Sequence, residues 1–241
     1  MKNPDISLVI PLYNEADNIE PLGHSILHAM EKQNYEVIFV NDGSIDGSTE
    51  KLNAWCTKHE NFRTIHFKRN AGQTAAMDAG FKSAAGKYIV SMDADMQNDP
   101  LDIPKLLEKL NSYDMVCGWR QKRNDPWIKR ISSQVANYIR NKLSSEDIKD
   151  TGCSLKAYRR ECLIHIRLYN GMHRFLPTLF KMEGFTVAEI VVNHYPRKFG
   201  KSKYGISNRA FRAFIDLLAV RWMKKRKLHY EVENEKSYNT Y

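Results

Sequence analysis

Short hydrophobic runs alternate with segments of helical periodicity along the first half of the chain. The runs are rich in β-branched and aromatic residues and end at polar or glycine-containing turns, which is the pattern of buried strands. Strands that alternate with helices in this way indicate a parallel sheet built from right-handed crossovers. The pattern predicts strands at 6–12, 35–40, 62–67 and 87–92, and helices at about 16–32, from the turn at 47 to about 59, and at about 69–85.

The second half of the chain is less regular, and no internal repeat or low-complexity segment interrupts it. With the earlier strands, it predicts an α/β fold: a mostly parallel central sheet with helices on both faces and an amphipathic helix near the C-terminal end. We expect further strands at 114–117, about 153–158 and about 186–194, and helices at 126–143, about 174–182 and about 207–223.

Two carboxylates one residue apart, Asp93 and Asp95, follow the hydrophobic strand that ends at Met92. Because alternate residues of an extended chain point to the same side, both can face one hard cation. Gln97 adds a neutral oxygen if the chain stays extended. A divalent ion held by few side-chain oxygens is how Mg²⁺ or Mn²⁺ usually grips a diphosphate. The alternative for this pair alone is a solvated strand end or an N-cap for the helix after Pro100.

Polar clusters also follow the first two strands, and ligands of open parallel sheets bind beyond the carboxyl ends of the strands. Gly43 and Gly47 let the backbone turn tightly beside a ligand, and Asp42 can take the imide of a uracil or the matching edge of a guanine. The chain has no GxGxxG motif and no P-loop lysine. A turn or a helix cap explains each cluster alone, but three clusters at strand ends indicate a nucleotide-diphosphate site. The clusters are Pro11-Leu-Tyr-Asn-Glu15, Asn41-Asp-Gly-Ser44 and Asp93-Ala-Asp95.

The net charge of +9 comes from one segment near the C-terminal end. Residues 197–227 carry eleven Lys and Arg against one acid, Asp216, which leaves 26 basic and 27 acidic residues in the rest of the chain. Such a block attracts the phosphates of a nucleic acid, an anionic lipid or a substrate, unless it is only a solvated basic face.

Cysteine spacing and hydropathy bear on the compartment. The four cysteines show no CxxC spacing and read as reduced residues of a cytosolic protein. The chain leads straight into a strand and no apolar run approaches ~20 residues, so we expect neither a signal peptide nor a membrane span.

Several motifs, in order, resemble those of family-two glycosyltransferases of GT-A fold, and more closely those of dolichyl- and undecaprenyl-phosphate glycosyltransferases. The likeness covers about residues 5–206. It implies a GT-A (Rossmann-like) catalytic domain over 1–206 and an inverting enzyme that moves a sugar from a UDP- or GDP-linked donor to a polyprenyl phosphate, for envelope glycan or protein glycosylation. The motifs are Val9-Ile-Pro-Leu-Tyr-Asn-Glu15, Asn41-Asp-Gly-Ser-Ile-Asp-Gly47, Arg69-Asn-Ala-Gly-Gln73, Asp93-Ala-Asp-Met-Gln97, Asp150-Thr-Gly-Cys153, His173-Arg-Phe-Leu-Pro177 and Arg197 through Tyr204.

The resemblance also implies roles for single residues, and Asp150 is expected either to line the site or to cap a helix. The donor site would comprise Pro11, Tyr13, Glu15, Asp42, Gln73, Asp93, Ala94 and Asp95. The metal, Mg²⁺ or Mn²⁺, would be held by Asp93, Asp95 and Gln97. The acceptor phosphate would be held by Arg120, Lys129, Arg130, Arg197, Ser202 and Lys203. The catalytic residues would be Asp93, Asp95, Arg120, Arg197 and Lys203.

The chemistry supports this assignment independently. A metal stabilises the charge of the leaving diphosphate, and a lipid phosphate, already ionised near neutral pH, needs positioning by Arg and Lys more than a general base. A family-two enzyme that acts on a hydroxyl of a soluble glycan or protein would need a carboxylate base and would leave the basic cluster without a purpose. A nucleic-acid-binding protein leaves Asp93 and Asp95 unexplained and lacks any recognisable motif, and the complete motif set argues against a non-catalytic sugar-nucleotide sensor.

Residues 207–241 are predicted to form an amphipathic basic helix and a polar tail. Phe211, Phe214, Ile215, Leu218 and Trp222 fall at helical spacing, and four basic residues follow at 224–227. This pattern favours a helix that lies on an anionic membrane, here on its cytoplasmic face, and the alternative is a helix packed on the sheet with a solvated basic end. We expect no nucleic-acid partner, while a homo-oligomer and a membrane-protein partner stay open.

Overall fold

The computed structural model describes residues 3–121, 148–197, 206–228 and 230 of the 241-residue chain, without the side chains of 206–214. Within these residues, seven strands form one sheet in the order β3-β2-β1-β4-β6-β5-β7. Neighbouring strands are parallel except at β6, which runs antiparallel to β4 and β5. The mostly parallel α/β sheet predicted from the sequence is confirmed. The strands are β1 (Ile6–Leu12), β2 (Tyr35–Asn41), β3 (Phe62–His66), β4 (Tyr88–Ser91), β5 (Met115–Trp119), β6 (Lys156–Arg159) and β7 (Val187–Val191).

Helices connect most of these strands, and three short 3₁₀ turns precede longer helices. The α-helices are α1 (Ile19–Ala29), α2 (Ser48–Lys58), α3 (Gln73–Ser83), α4 (Ile103–Lys109), α5 (Arg160–Leu163), α6 (Leu176–Met182) and α7 (Ile206–Arg226). The 3₁₀ turns are Ala16–Asn18, Pro100–Asp102 and Met172–Phe175.

Several bounds differ from those predicted, for local reasons. The helix expected from 69 begins only at Gln73, because Gly72 has a φ of +95° and the preceding backbone lies against Gly43. The strand expected from 153 pairs only from Lys156, because the residues before it form the loop that meets Asp93. The helix expected at 126–143 lies outside the described residues.

The core lies on both faces of the sheet, which explains why the strand sequences are continuously hydrophobic instead of alternating. Along β1, Leu8 and Ile10 pack in one layer, which helices α1, α2 and α4 cover. Val9 packs in the other layer, beneath α3 and α6. Both layers bury the strands and so hold their carboxyl ends in a common plane, where the polar clusters emerge.

The carboxyl half of α7 has two apolar faces. Leu217 and Val220 are buried in a cluster with residues of the Met172–Phe175 turn and α6. Leu218 and Trp222 lie on the other face and are exposed, as is Ile215. The helix therefore packs on the protein along one face and presents a second apolar face to solvent. Among the described helices, none is long and apolar enough to cross a membrane.

Candidate active site

Asp93 and Asp95 lie just beyond the carboxyl end of β4. The chain does not stay extended through Gln97, because Met96 has a φ of +60° and the chain turns there. The amide N–H of Gln97 donates to Asp95 Oδ1 over 3.2 Å, and its side-chain Nε2 donates to the Tyr195 carbonyl over 3.4 Å. A backbone N–H of this turn thus holds the Asp95 carboxylate in place. A contact between Gln97 and a metal stays a prediction.

The Asp93 carboxylate lies among polar groups that the fold brings from elsewhere. Gln73 Nε2 donates to Asp93 Oδ1 over 2.7 Å, and the backbone N–H of Asp93 donates to Ser154 Oγ over 3.3 Å. Burial, together with the negative charge of Asp95, raises the pKa of Asp93 to about 6 from 3.8, although Ser154 and the charges of Lys156 and Arg120 oppose the shift. Two like charges at one strand end therefore repel one another, and a cation between them would be stabilised.

Arg197 reaches the same place from the segment after β7. Its Nη2 lies 2.7 Å from Asp95 Oδ2, and its Nη1 lies 3.8 Å from Glu15 Oε1. The sequence assigned Arg197 to the acceptor phosphate and Asp95 to the metal, and the structure brings these two residues into contact. The predicted acceptor and metal groups are thus neighbours in one site.

Hydrogen bonds fix the segment that carries Arg197 to the loop after Asp95. Asn193 N–H donates to Asp102 Oδ2 over 2.7 Å, and the Tyr195 hydroxyl donates to Asp99 Oδ2 over 3.0 Å. The Tyr195 N–H donates to the Gln97 carbonyl over 2.9 Å. The buried carboxylates of Asp99 and Asp102 therefore stabilise the position of this segment.

Asp42, predicted to contact the base, has other partners in the structure. Its carboxylate accepts from the backbone N–H groups of Ala71 (2.6 Å) and Gly72 (2.9 Å) and from Asn70 Nδ2 (2.9 Å). These bonds tie the loop after β2 to the segment before α3, a role that the sequence did not suggest. A contact between Asp42 and the nucleotide base would have to use the carboxylate lone pair that these hydrogen bonds leave.

The loop after β1 is tied to the loop after β2. Glu15 N–H donates to Ser48 Oγ over 3.1 Å, and Asn14, which has a φ of +53°, accepts from the Ile45 N–H over 2.8 Å. The Glu15 carboxylate also accepts from Asn18 Nδ2 over 2.6 Å. Three of the predicted donor segments therefore form one connected rim at the carboxyl ends of β1 and β2.

Arg120 and Asp150 form a two-pronged ion pair. Arg120 Nε lies 2.7 Å from Asp150 Oδ2, and Arg120 Nη2 lies 2.9 Å from Oδ1. Both side chains are largely buried. Asp150, whose role the sequence left open, therefore orients Arg120. A Cβ added at Gly152 would lie 3.2 Å from Arg120 Nη2, so the guanidinium also sits against the loop that borders Asp93.

A cavity opens beside Asp93, and several residues that line it were not predicted as site residues. Lys156 is 4% exposed, and its ammonium donates to the carbonyls of Thr151 (3.3 Å) and Cys153. The sequence shows only a lysine inside a predicted strand, and this does not mark Lys156 as a site residue. Lys156 reaches the site only because it pairs opposite Ser91 on β4. The other lining residues include Pro11, Gln73, Thr151, Ser154, His173 and Arg174.

Four predicted acceptor residues lie outside the described residues. They are Lys129, Arg130, Ser202 and Lys203. The other predicted residues, apart from Tyr13 and Ala94, have been placed above. Ala94 is buried between Asp93 and Asp95, and Tyr13 lies in the loop after β1.

The donor set at the end of β4 fits a divalent metal that also binds a substrate. No group of three His, Cys, Asp or Glu side chains among the described residues could hold a metal ion alone. Two carboxylates one residue apart, one with a pKa raised by burial and by its neighbour, suit a Mg²⁺ or Mn²⁺ ion that takes its remaining ligands from substrate phosphates and water.

A mostly parallel sheet with acidic residues beyond β4 and clustered polar loops beyond β1 and β2 is the arrangement expected of a GT-A fold. Residues 7–167 match the family model described as glycosyl transferase family 2. The chain therefore belongs to glycosyl transferase family 2 and is a glycosyltransferase.

Two characterised relatives are similar over most of the chain. A dodecaprenyl-phosphate galacturonate synthase from Rhizobium johnstonii is 37% identical over 231 residues, which cover 92% of this chain and 68% of the relative. An undecaprenyl-phosphate 4-deoxy-4-formamido-L-arabinose transferase from Aeromonas hydrophila is 37% identical over 213 residues, which cover 86% of this chain and 65% of the relative. The chain thus spans about two thirds of the length of these relatives.

Solved structures confirm the GT-A fold. A glucosyl-3-phosphoglycerate synthase from Mycobacterium tuberculosis, in complex with Mn²⁺, UDP and phosphoglyceric acid, has a TM-score of 0.71 at 18% identity, covering 94% of this chain and 80% of that one. A mannosyltransferase from Pyrobaculum calidifontis, in complex with GDP-mannose and Mn²⁺, has a TM-score of 0.63 at 18% identity, covering 93% and 65%. At this identity the likeness shows the fold alone.

The pKa of Asp93 predicts how stability depends on pH when a chelator is present. Between pH 3.8 and about 6, folded Asp93 keeps a proton that the unfolded chain has lost, so the free energy of unfolding falls as pH rises through this window. Asp93→Asn cannot ionise. We therefore expect it to raise Tm relative to wild type at about pH 7.5 and to have little effect near pH 4.

Asp17→Asn, at an exposed carboxylate paired with Lys51, is the matched control for this measurement. Thermal melts of all three proteins at both pH values give the comparison. An equal Tm difference between Asp93→Asn and wild type at the two pH values would contradict the raised pKa.

Proposed function

We propose that this glycosyltransferase moves a sugar from a nucleotide-diphosphate sugar to a polyprenyl phosphate. The observation that carries the proposal is the contact between Asp95 and Arg197, which joins a carboxylate pair suited to a metal–diphosphate with a cation suited to an acceptor phosphate. The two relatives that are 37% identical are named for transfer to dodecaprenyl and undecaprenyl phosphate, which supports this acceptor class. The sugar and the base, uracil or guanine, are not specified by these observations.

The donor would lie along the carboxyl ends of β1, β2 and β4. Pro11, Tyr13, Glu15, Asp42 and Gln73 border the space for base, ribose and sugar, and Asp93 and Asp95 face the diphosphate. When bound, Mg²⁺ or Mn²⁺ supplies positive charge that stabilises the leaving diphosphate. The protein holds the carboxylates in place by Gln73 and by the turn at Met96. By its resemblance to inverting enzymes, the protein would invert the anomeric centre.

The acceptor assignment follows from the partners of the carboxylates. Transfer to a hydroxyl would need a carboxylate free to take a proton, but Asp150 is bound to Arg120, and Glu15 accepts from Asn18 and faces Arg197. A phosphate acceptor is already anionic near neutral pH and needs cations that position it. Arg120 and Arg197 meet that need, and Lys129, Arg130, Ser202 and Lys203 are proposed to join them.

The exposed face of α7 is the proposed membrane contact. Ile215, Leu218 and Trp222 present apolar surface beside Arg221, and Lys224, Lys225 and Arg226 follow on the same helix. Apolar side chains flanked by basic ones suit the interface of an anionic membrane. The protein would thus act as a peripheral enzyme on the cytoplasmic face, where its lipid acceptor is accessible.

The metal role predicts the effect of Asp95→Asn. The substitution keeps the size of the side chain and removes the charge that would hold the metal–diphosphate and Arg197. We expect transfer to fall by about a hundredfold or more with the fold intact, and excess EDTA to do the same to wild type. Asp78→Asn, which removes an exposed carboxylate from α3, is the control. Full wild-type activity in EDTA would contradict the metal role.

The acceptor role predicts a selective effect of Arg197→Ala. A charge-assisted contact contributes roughly 1.5–3 kcal/mol, so kcat/KM for the lipid phosphate should fall by about tenfold or more. Donor binding should be unchanged or tighter, because Asp95 loses a neighbouring cation. Arg63→Ala, which breaks an ion pair with Glu36 at the amino end of the strands, is the control. Equal losses in donor binding and acceptor use would place Arg197 on the donor.

The membrane role predicts the behaviour of the exposed face. Replacing Leu218 and Trp222 together by Ala should weaken cosedimentation with phosphatidylglycerol vesicles by about tenfold or more, and rising salt should weaken wild-type binding through charge screening. Ile164→Ala removes an exposed apolar residue from a different part of the surface and should have no effect. If the full chain does not bind these vesicles at low salt, the interfacial helix is wrong.

A further inference from the structure

The buried face of α7 supports the turn that forms one wall of the candidate site. Leu217 and Val220 pack against Met172, Phe175 and Leu179. The same 3₁₀ turn carries His173 and Arg174, which line the cavity beside Asp93. One end of this short turn thus rests on the C-terminal helix while its polar side chains face the site.

Gly171, which precedes the turn, is the point of closest approach to α7. Its φ is +87°, and a Cβ added there would lie 2.4 Å from Oδ2 and 2.9 Å from Cγ of Asp216. Real Cβ atoms do not come so close to another heavy atom, so a side chain at 171 would force the carboxylate or the turn to move. The Asp216 carboxylate and the Gly171 backbone are therefore in direct contact.

Two hydrogen bonds, joined by the peptide link between Gln73 and Thr74, connect Gly171 to Asp93. The Gly171 N–H donates to Thr74 Oγ1 over 3.0 Å, and His173 Nδ1 lies 2.6 Å from the same oxygen. Thr74 is buried in the first turn of α3, directly after Gln73, whose Nε2 donates to Asp93 Oδ1. The contacts run from α7 through the turn and the start of α3 to the carboxylate at the end of β4.

We infer that α7 is a positioning element of the donor site. Leu217 and Val220 set the place of the His173–Arg174 turn, and Gly171 leaves room for the Asp216 carboxylate beside it. The turn then sets the Asp93 carboxylate through Thr74 and Gln73. The inference rests on the proposed donor site at Asp93. Because the opposite face of the same helix is the proposed membrane contact, one rigid helix joins the lipid surface to the donor site, and any coupling between them is reciprocal.

A pair of glycine substitutions tests the contact. Gly171 and Gly184 have the same φ of +87°, but a Cβ at Gly184 meets nothing within 4 Å. Alanine therefore meets a positive φ that L-residues rarely adopt at both positions, and a collision with Asp216 at only one. Titration calorimetry of UDP, and separately of GDP, with Mn²⁺ and without vesicles should show Gly171→Ala about fivefold or more weaker than Gly184→Ala.

A second substitution that removes the collision provides a second test of the contact. Adding Asp216→Ala to Gly171→Ala should restore nucleotide affinity to within about twofold of Gly184→Ala, which a general loss of stability would not do. If Gly171→Ala binds as well as Gly184→Ala, or if Asp216→Ala does not restore binding, the positioning role is overturned. If wild type binds neither nucleotide with Mn²⁺, the proposed donor site fails instead.

Two adjacent leucines give an independent check within α7. Leu217 is 5% exposed and Leu218 is 45% exposed. We expect Leu217→Ala to weaken Mn²⁺–nucleotide binding in solution, and Leu218→Ala to leave it unchanged. Equal nucleotide affinities in these two variants, both folded by circular dichroism, would contradict the inference.

Discussion

The negative charge at the end of β4 is the constraint around which the site is built. Burial, together with the negative charge of nearby Asp95, raises the pKa of Asp93 to about 6. Such a pair is unfavourable unless cations surround it. Arg197 contacts Asp95 directly, while Arg120 and Lys156 act on Asp93 through the field. The same charges that make this strand end unfavourable by itself suit the proposed divalent ion and anionic substrate.

Carboxylates elsewhere in the structure join loops that carry site residues. Asp42 ties the loop after β2 to the segment before α3, Asp150 orients Arg120, and Asp99 and Asp102 fix the segment that carries Arg197. Each of these buried acids accepts two or more hydrogen bonds, which offsets the cost of removing it from water. Buried acids thus hold the loops of the rim together.

The C-terminal helix illustrates how one element serves two surfaces. Its buried leucine and valine close a small core behind the Met172–Phe175 turn, and its exposed apolar side chains face away from the protein. A helix with two apolar faces is expected where both faces are covered. Here the protein covers one face, and the proposed membrane would cover the other. The placement of this helix therefore enters both the proposed donor site and the proposed approach to a lipid acceptor.

The local sequence pattern was sufficient to predict the strands, most helices and the acidic pair, because hydrophobic periodicity and strand ends depend on neighbouring residues. It correctly indicated that polar clusters meet at one edge, since parallel strands end together. It could not show that Asp42 bonds the backbone before α3, that Asp150 holds Arg120, or that Lys156 lies beside Asp93. Those contacts join residues about 30 to 60 positions apart. Strand pairing and the burial of loops from distant parts of the chain decide them, and both arise only in the tertiary structure.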